Sequence, residues 1–242
     1  MSAISEEALQ AALHLGEISL QGQFMLGSNY TFLVNVAHEG QSVPAVYKPS
    51  KGEQPLWDFP ESSLAGREAA AYLVSEAIGW CFVPYTILRD DGPFGPGSLQ
   101  QFIEYDPDYH YFTFNGKDKE RLRPVVLFDL LVNNADRKGS HVIFQKRTRK
   151  MFLIDHGLCF HEEDKLRTVI WDFAGQPIPP ELIADLAKFR EALTTPELRT
   201  ALEPYLSSVE ITALDARAVG LMARGVFPLP PRGRRAFPYP PL

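Results

Sequence analysis

The sequence predicts an α+β protein built as two lobes, with a small antiparallel sheet and one main helix first and a mostly helical part second. Up to residue 104, segments rich in Val, Phe, Leu and Tyr are separated by Gly- and Ser-bearing turns. From residue 119 onward, apolar residues recur at helical spacing instead. Strands followed by helices are typical of α+β folds. We therefore divide the chain into an N-terminal lobe over 1–104, a helical lobe over 105–225 and a Pro-rich tail over 226–242.

The N-terminal lobe is predicted to begin with a short helix over 4–15, behind a Ser–Glu start signal. The main helix covers 64–79; it is rich in Ala and ends at Gly79. Residues 51–62 are polar and interrupted by Pro, which indicates a loop. Strands are predicted over 17–25, 30–38, 43–48, 83–89 and 98–104.

The helical lobe is predicted to begin with an apolar helix over 119–133. A short hairpin of 142–145 and 151–155 follows, and then helices near 180–194, 196–205 and 209–224. The tail contains six prolines and three arginines, so we expect it to be extended and loosely attached, and available to a protein partner.

Composition narrows the class of protein. The net charge of −6 argues against non-specific binding of nucleic acid, which relies on an excess of Lys and Arg. No apolar run approaches the roughly 20 residues of a membrane span, and the acidic N-terminus lacks the pattern of a signal peptide. The two cysteines, Cys81 and Cys159, lie in apolar surroundings, which favours a reduced, cytoplasmic protein without a cysteine-based zinc site.

Two loop carboxylates, Asp136 and Asp155, each lie beside an apolar run. Taken singly, one would cap a turn and the other would end a strand. As a pair they resemble the carboxylates of phosphoryl transfer, in which one Asp orients or deprotonates the acceptor and the other holds Mg²⁺ on the phosphates. Asp155 is the preferred metal ligand, because a hard cation favours a carboxylate at a rigid strand end.

Two further side chains follow Asp136 in the same loop. Lys138 would counter the charge that develops on the transferred phosphoryl group. His141 would bind the metal or, alternatively, form hydrogen bonds that order the loop.

Lys48, at the end of a predicted strand, can neutralise phosphate oxygens if a carboxylate holds its amine in place. Glu68, one turn into the main helix, is a suitable partner. The alternative is a solvated Glu and an edge-strand Lys that discourages aggregation. The two Asp residues elsewhere in the chain favour the functional interpretation.

The remaining nucleotide contacts are predicted from weaker signals. Ser28 and Asn29 lie in a small polar turn whose amides and hydroxyls could cover phosphates. Phe102 and Ile103 suit a connector between the lobes, where adenine would bind by backbone hydrogen bonds and apolar packing, but an ordinary strand would have the same pattern. The turn is not a GxGxxG sequence, and the absence of a Walker A motif disfavours a P-loop nucleotidase.

These residues together resemble the phosphatidylinositol 3-/4-kinase branch of the protein-kinase-like superfamily. That branch has Asp-Arg-His-x-x-Asn in its catalytic loop and Asp-Phe-Gly or Asp-His-Gly as its metal motif. The chain is similar to a small actinobacterial family related to those lipid kinases, with which it shares the segments Gly66-Arg67-Glu68, Asp91-Gly92-Pro93 and Gly95-Pro96-Gly97-Ser98, together with Trp171.

The resemblance implies a two-lobed kinase-like fold, with ATP as cofactor and Mg²⁺ or Mn²⁺ on its phosphates. It assigns Asp136 as the catalytic Asp, Asp155 as the metal Asp, and Lys48 and Glu68 as the phosphate-binding ion pair. The chain departs from the family at Lys138, where the motif has His, and at His141, where it has the second metal-binding Asn. An imidazole suits Mn²⁺ better than Mg²⁺.

The acceptor is expected to be a small soluble hydroxyl compound or a protein Ser/Thr. The stretch after the metal motif, 158–165, is acidic and would repel an anionic lipid head group. A nucleotide-binding pseudokinase with a regulatory role is the main alternative. In a third hypothesis the chain is a hydrolase with transition-metal ligands at His141, Asp155, His156 and His161.

Overall fold

In the computed structural model, which describes residues 4–24, 30–54 and 56–242, a five-stranded antiparallel sheet forms the centre of the first lobe. The order of strands across the sheet is β1-β2-β3-β5-β4. The strands are β1 (Glu17–Gln23), β2 (Phe32–His38), β3 (Gln41–Pro49), β4 (Thr86–Gly92) and β5 (Gly95–Gln101). Helix α1 (Glu6–Leu15), capped by the Ser5 side chain, packs its buried face on this sheet.

Strand β3 presents a different chemistry on each face. Val43, Ala45 and Tyr47 alternate into the core, and this alternation turns Lys48 to the opposite face. Gly97 of β5 pairs with Pro49, and a Cβ at this glycine would clash with the carbonyl oxygen of Lys48. The glycine therefore allows the two strands to approach each other beside Lys48.

Strand β4 begins three residues later than the predicted range 83–89, and strand β5 begins three residues earlier than the predicted range 98–104. Pro84 has no N–H to donate, and the strand begins beyond it. Strand β5 ends at Gln101, because the connector that follows it turns toward the second lobe. There the Glu104 carbonyl accepts a hydrogen bond from the Lys146 amide.

Helix α2 (Leu64–Ala77) is the predicted main helix, and Gly79 follows it with a φ of +81°. Its first amides, those of Leu64 and Ala65, donate to the Glu53 carboxylate at 3.1 and 2.9 Å, where an anion is favoured by the helix dipole. Its Arg67 side chain is buried, donates to the Cys159 carbonyl at 2.6 Å and forms an ion pair with Glu210. The helix is thus fastened to the second lobe one residue before Glu68.

The second lobe contains five helices and a two-stranded sheet among the residues that the structure describes. Its elements are α3 (Gly116–Glu120), α4 (Arg123–Val132), β6 (Val142–Phe144), β7 (Met151–Leu153), α5 (Pro180–Thr194), α6 (Pro196–Leu202) and α7 (Ser208–Arg224). The predicted single helix over 119–133 is two helices, and α4 has Pro124 in its first turn. Proline is tolerated there because the first helical amides have no intrahelical acceptor. Within the described ranges, no helix has both the length and the apolar character required to cross a bilayer.

The tail over 226–242 is extended, but the expectation that it is loosely attached is wrong. The amides of Gly139 and Thr168 donate to the carbonyls of Pro241 and Ala236 at 2.8 and 3.1 Å. Arg234 donates to the Leu166 carbonyl at 2.6 Å. Proline limits the entropy lost on ordering, and extended backbone presents its carbonyls outward, so this composition is compatible with firm attachment.

Candidate active site

Lys48 lies between two carboxylates that come from distant parts of the chain. Its Nζ donates to Glu68 Oε1 in α2 and, at 3.0 Å, to Asp155 Oδ1 in the loop after β7. Burial alone would lower the pKa of Lys48, but Asp155 and Glu68 raise that pKa above its ordinary value. The structure therefore places a charged amine at the junction of the two lobes.

Glu68 has a second function in the same contact. Its side chain is only 3% exposed, and its Oε2 accepts the backbone N–H of His156 at 3.0 Å. One carboxylate therefore holds both the strand-borne Lys48 and the loop that carries Asp155. The Lys48–Glu68 pairing predicted from the sequence is present.

Asp155 has a φ of +64°, a left-handed conformation that is uncommon for a residue other than glycine and is concentrated at functional sites. Its side chain is 49% exposed, and its Oδ2 lies 3.2 Å from His141 Nε2. Burial raises the pKa of Asp155, but the charge of Lys48 more than offsets this effect and holds the pKa well below its usual range. The carboxylate is therefore ionised at neutral pH and open to a cation.

Asp136 is held by its own loop. Its backbone amide donates to Asn134 Oδ1 at 2.9 Å, and its Oδ2 lies 3.3 Å from Lys138 Nζ. Burial raises the pKa of Asp136 to about 6; Lys138 opposes the shift and the negative charge of Asp155 adds to it. A partly exposed carboxylate with a raised pKa suits proton transfer near neutral pH.

His141 is buried, which lowers its pKa to about 4, so the ring is neutral at physiological pH. The Lys138 amide lies 3.5 Å from Nδ1, which accepts the hydrogen bond, so that Nε2 carries the proton toward Asp155. In this tautomer His141 orients Asp155; to bind a metal through Nε2 it would have to adopt the other tautomer. Its metal-ligand role remains a prediction.

The side chains that could bind a metal ion at this site fit an ion that is bound together with a nucleotide. Within 4–24, 30–54 and 56–242, no three His, Cys, Asp or Glu side chains form a cluster suited to a metal ion. The protein would supply Asp155 and at most one imidazole, and Mg²⁺ in such sites takes its other oxygens from phosphates and water.

The hydrolase hypothesis is not supported, because its four ligands do not come together. His156 Nε2 accepts a hydrogen bond from Arg137 at 2.9 Å, and His161 Nε2 donates to the carbonyl of Asp58 at 2.9 Å. Nε2 of each ring is engaged in a structural contact, and the contact within the proposed set is the one between the side chains of His141 and Asp155.

Arg137 and Asp129 were not identified as site residues from the sequence. The Arg137 guanidinium is fully buried, forms an ion pair with Asp129 of α4 at 2.9 Å and donates to the carbonyls of His141 and Ile154 at 3.1 Å. It therefore ties the loop of Asp136 to the loop of Asp155. The sequence contains one indication of this buried pair, because Asp129 is a charged residue within the otherwise apolar run of α4.

The structure places the two connector residues differently. Ile103 is buried against Ile143 and Phe152 of the second lobe, with Ile154 packed beside them. The Phe102 amide donates to the Pro44 carbonyl at 3.2 Å. Adenine binding by these residues remains a prediction, and Ser28 and Asn29 lie outside the described residues.

Comparison with solved structures establishes the fold. The Helicobacter pylori proinflammatory kinase CtkA matches with a TM-score of 0.56 at 12% identity, over 88% of this chain and 93% of that chain. Hydra Fam20, solved with sugar, matches with a TM-score of 0.53 at 14% identity, over 92% of this chain and 89% of that chain. The predicted two-lobed kinase-like fold is confirmed. At these identities the likeness concerns the fold alone.

A curated relative shows the family. Protein Rv2133c of Mycobacterium tuberculosis is 39% identical over 265 aligned positions, which cover 95% of this chain and 94% of the relative. The chain belongs to the Rv2133c family. No family model matches the sequence. The chain therefore shares a kinase-like fold with these solved structures, whereas membership of the protein-kinase-like superfamily and a specific relationship to phosphatidylinositol 3-/4-kinases remain predictions.

Proposed function

We propose that this protein is a kinase-like phosphotransferase that moves the γ-phosphoryl group of ATP to a hydroxyl acceptor. The observation that carries the proposal is the contact of Lys48 with both Glu68 and Asp155. This contact brings Lys48, a cation that can bind phosphate oxygens, next to Asp155, a carboxylate that can bind the metal on those phosphates. The two residues lie in a fold that is shared with kinases. The acceptor is a small soluble hydroxyl compound or a protein Ser/Thr, and we infer a cytoplasmic location because both cysteines are free.

Each side chain then has a defined task. Lys48 would bind phosphate oxygens, and Asp155 would hold Mg²⁺ or Mn²⁺, which would neutralise charge on the phosphates. Asp136 orients the acceptor hydroxyl and takes its proton as the acceptor oxygen bonds to the γ-phosphorus. The bond between that phosphorus and the bridging oxygen breaks, and ADP leaves with the electron pair. Lys138 lies beside Asp136 and stabilises the negative charge on the transferred group.

Nucleotide binding tests the proposal directly. We expect calorimetry to detect ATP binding in the presence of Mg²⁺ or Mn²⁺, and Lys48→Met to weaken it by about tenfold or more because a charge-assisted contact is lost. Asp155→Asn should remove the metal-dependent part of the affinity.

The matched controls are Lys51→Met and Asp108→Asn, at exposed residues outside the Lys48 contact. Both should bind ATP as the parent chain does. An absence of binding with either metal would remove the basis of the kinase proposal.

The pKa of Asp136 predicts how activity depends on pH. A general base must be ionised, so ADP formation at saturating ATP should rise with pH and level off above a midpoint of about 6. Because the terminal phosphate of ATP also titrates, nucleotide affinity is measured over the same range. A rate that is flat between pH 5 and 8 while affinity is constant would show that Asp136 is not the base.

The pseudokinase alternative is favoured by one observation, the replacement of the metal-binding Asn by His141. If His141 is a ligand, Mn²⁺ should support turnover better than Mg²⁺, and His141→Asn should reverse the preference. Paramagnetic resonance of bound Mn²⁺ gives a second readout that does not depend on turnover. Unchanged metal affinity and preference in His141→Asn would leave His141 as a residue that only orients Asp155. ATP binding without any turnover would instead favour the pseudokinase.

A further inference from the structure

A cavity of about 490 Å³ opens in the second lobe, between α4, α7 and the tail. Its volume is within the range of sites for small organic ligands. Much of its wall is apolar and is formed by Leu130, Leu166, Trp171, Leu221 and Leu229. None of the candidate active-site residues Lys48, Glu68, Asp136, His141 and Asp155 lines it, so this is a separate site.

Arg217 of α7 lines the cavity and is incompletely satisfied. Its Nε donates to the Leu131 carbonyl at 2.7 Å, and its Nη1 donates to the His161 carbonyl at 3.1 Å. Its Nη2 is buried and has no hydrogen-bond partner in the part of the chain that the structure describes. Burial also lowers the pKa of Arg217 to about 10. A buried donor without an acceptor is costly, and an oxyanion that reached this nitrogen would remove the cost.

The other charges at the cavity leave an excess of cations. Arg234 forms an ion pair with Asp164, so each largely neutralises the other. Arg224 is exposed and has no ion pair within the described ranges, and Glu162 is the remaining acidic residue of the lining. The lining therefore has one more cation than anions, in a protein with a net charge of −6. A single negative charge matches this excess of one cation, whereas a doubly charged phosphate would leave one negative charge without a counter-charge.

We propose that this cavity binds a small carboxylate with an apolar body, with its oxygens at the Arg217 guanidinium and its apolar part against Trp171 and Leu221. Nη2 is closed to solvent in the structure, so binding requires a small side-chain adjustment of the kind common at interfaces. The proposal does not depend on the kinase activity, because it concerns a different cavity.

The test is titration calorimetry on the whole chain with decanoate, which carries one carboxylate on an apolar chain. We expect saturable one-to-one binding, and decanol should bind at least about tenfold more weakly because it lacks the charge. Equal affinity for decanol, or no binding of decanoate, would overturn the proposal. Tighter binding of decyl phosphate would overturn the assignment to a carboxylate.

Two variants locate the site. Arg217→Gln should weaken decanoate by about tenfold, because the charge-assisted contact is lost. Gly220→Phe should abolish binding by filling the cavity. A Cβ at Gly220 has no heavy atom within 4 Å, so there is room for a side chain to leave the backbone here, and this variant tests the site even if Arg217→Gln does not fold.

The control is Ala223→Phe, at an exposed residue of the same helix that does not line the cavity. It should bind decanoate as the parent chain does. Undiminished binding to Gly220→Phe would place the ligand elsewhere and overturn the proposal.

Discussion

Replacing Asp136 by Asn is expected to lower the rate of ADP formation by a factor on the order of a thousand while ATP affinity changes little. The amide keeps the shape and the hydrogen bond from the acceptor, but it cannot accept the proton. Asp136 contacts Lys138, and no contact joins it to Lys48 or Glu68, so nucleotide binding should persist. Single-turnover rates and calorimetric affinities are measured on the same preparation.

The control for Asp136→Asn is Asp108→Asn, which removes a carboxylate from an exposed loop. It should keep the parent rate. A rate loss below about tenfold in Asp136→Asn would show that proton removal is not assisted by this carboxylate, because general bases contribute at least a hundredfold. Lost ATP affinity, rather than lost rate, would place Asp136 in the nucleotide site.

Lys48, Glu68 and Asp155 could be selected as candidates from the sequence because each lies at a position that local rules describe. A strand alternates its faces, a helix turns every 3.6 residues, and a polar residue that ends an apolar strand lies at its edge. These rules place side chains on faces, but they do not state which faces meet. The contact of all three depends on how α2 docks, and Arg67 fixes that docking through Cys159 and Glu210.

The sequence-based prediction failed mainly at charged residues that are buried. Arg137 and Asp129 would each be assigned to the surface from residue type, since charged side chains are seldom buried unless paired. Their pairing depends on tertiary contact between a helix and a loop, which a single sequence does not show. The prediction of a loosely attached tail was wrong for a related reason. The tail is held through its own backbone carbonyls, which accept hydrogen bonds from the amides of Gly139 and Thr168.

The split of the predicted helix over 119–133 has a different origin. Pro124 marks the first turn of a new helix, and its position was visible in the sequence. Apolar periodicity continues across the break, because α4 and the residues before it bury side chains in the same core. A prediction from apolar periodicity alone therefore merges α3 and α4 into one helix, although Pro124 marks the start of the second.

The largest loss of stability is expected from Arg137→Met. Arg137 is 0% exposed and Asp129 is 1% exposed, so the substitution leaves a carboxylate buried without its cation. Three other groups lose a donor at the same time, namely the carbonyls of His141 and Ile154 and the His156 ring. Removing one partner of a buried ion pair costs about 3–5 kcal/mol, a large part of the 5–15 kcal/mol that typically stabilises a folded domain. Urea unfolding followed by tryptophan fluorescence measures the change.

The double variant Asp129→Leu with Arg137→Met separates the ion pair from the other contacts of Arg137. Because no charge is left unpaired, we expect it to be more stable than Arg137→Met alone, while still losing the hydrogen bonds that join the two loops. Arg147→Met, in the exposed turn of the β6–β7 hairpin, is the matched control and should stay within about 0.5 kcal/mol of the parent chain. If Arg137→Met costs no more than Arg147→Met, the buried pair does not stabilise the fold. If the double variant regains stability but not ATP turnover, Arg137 is required to hold the Asp136 loop against the Asp155 loop, because the fold would then be intact and only their relative position altered.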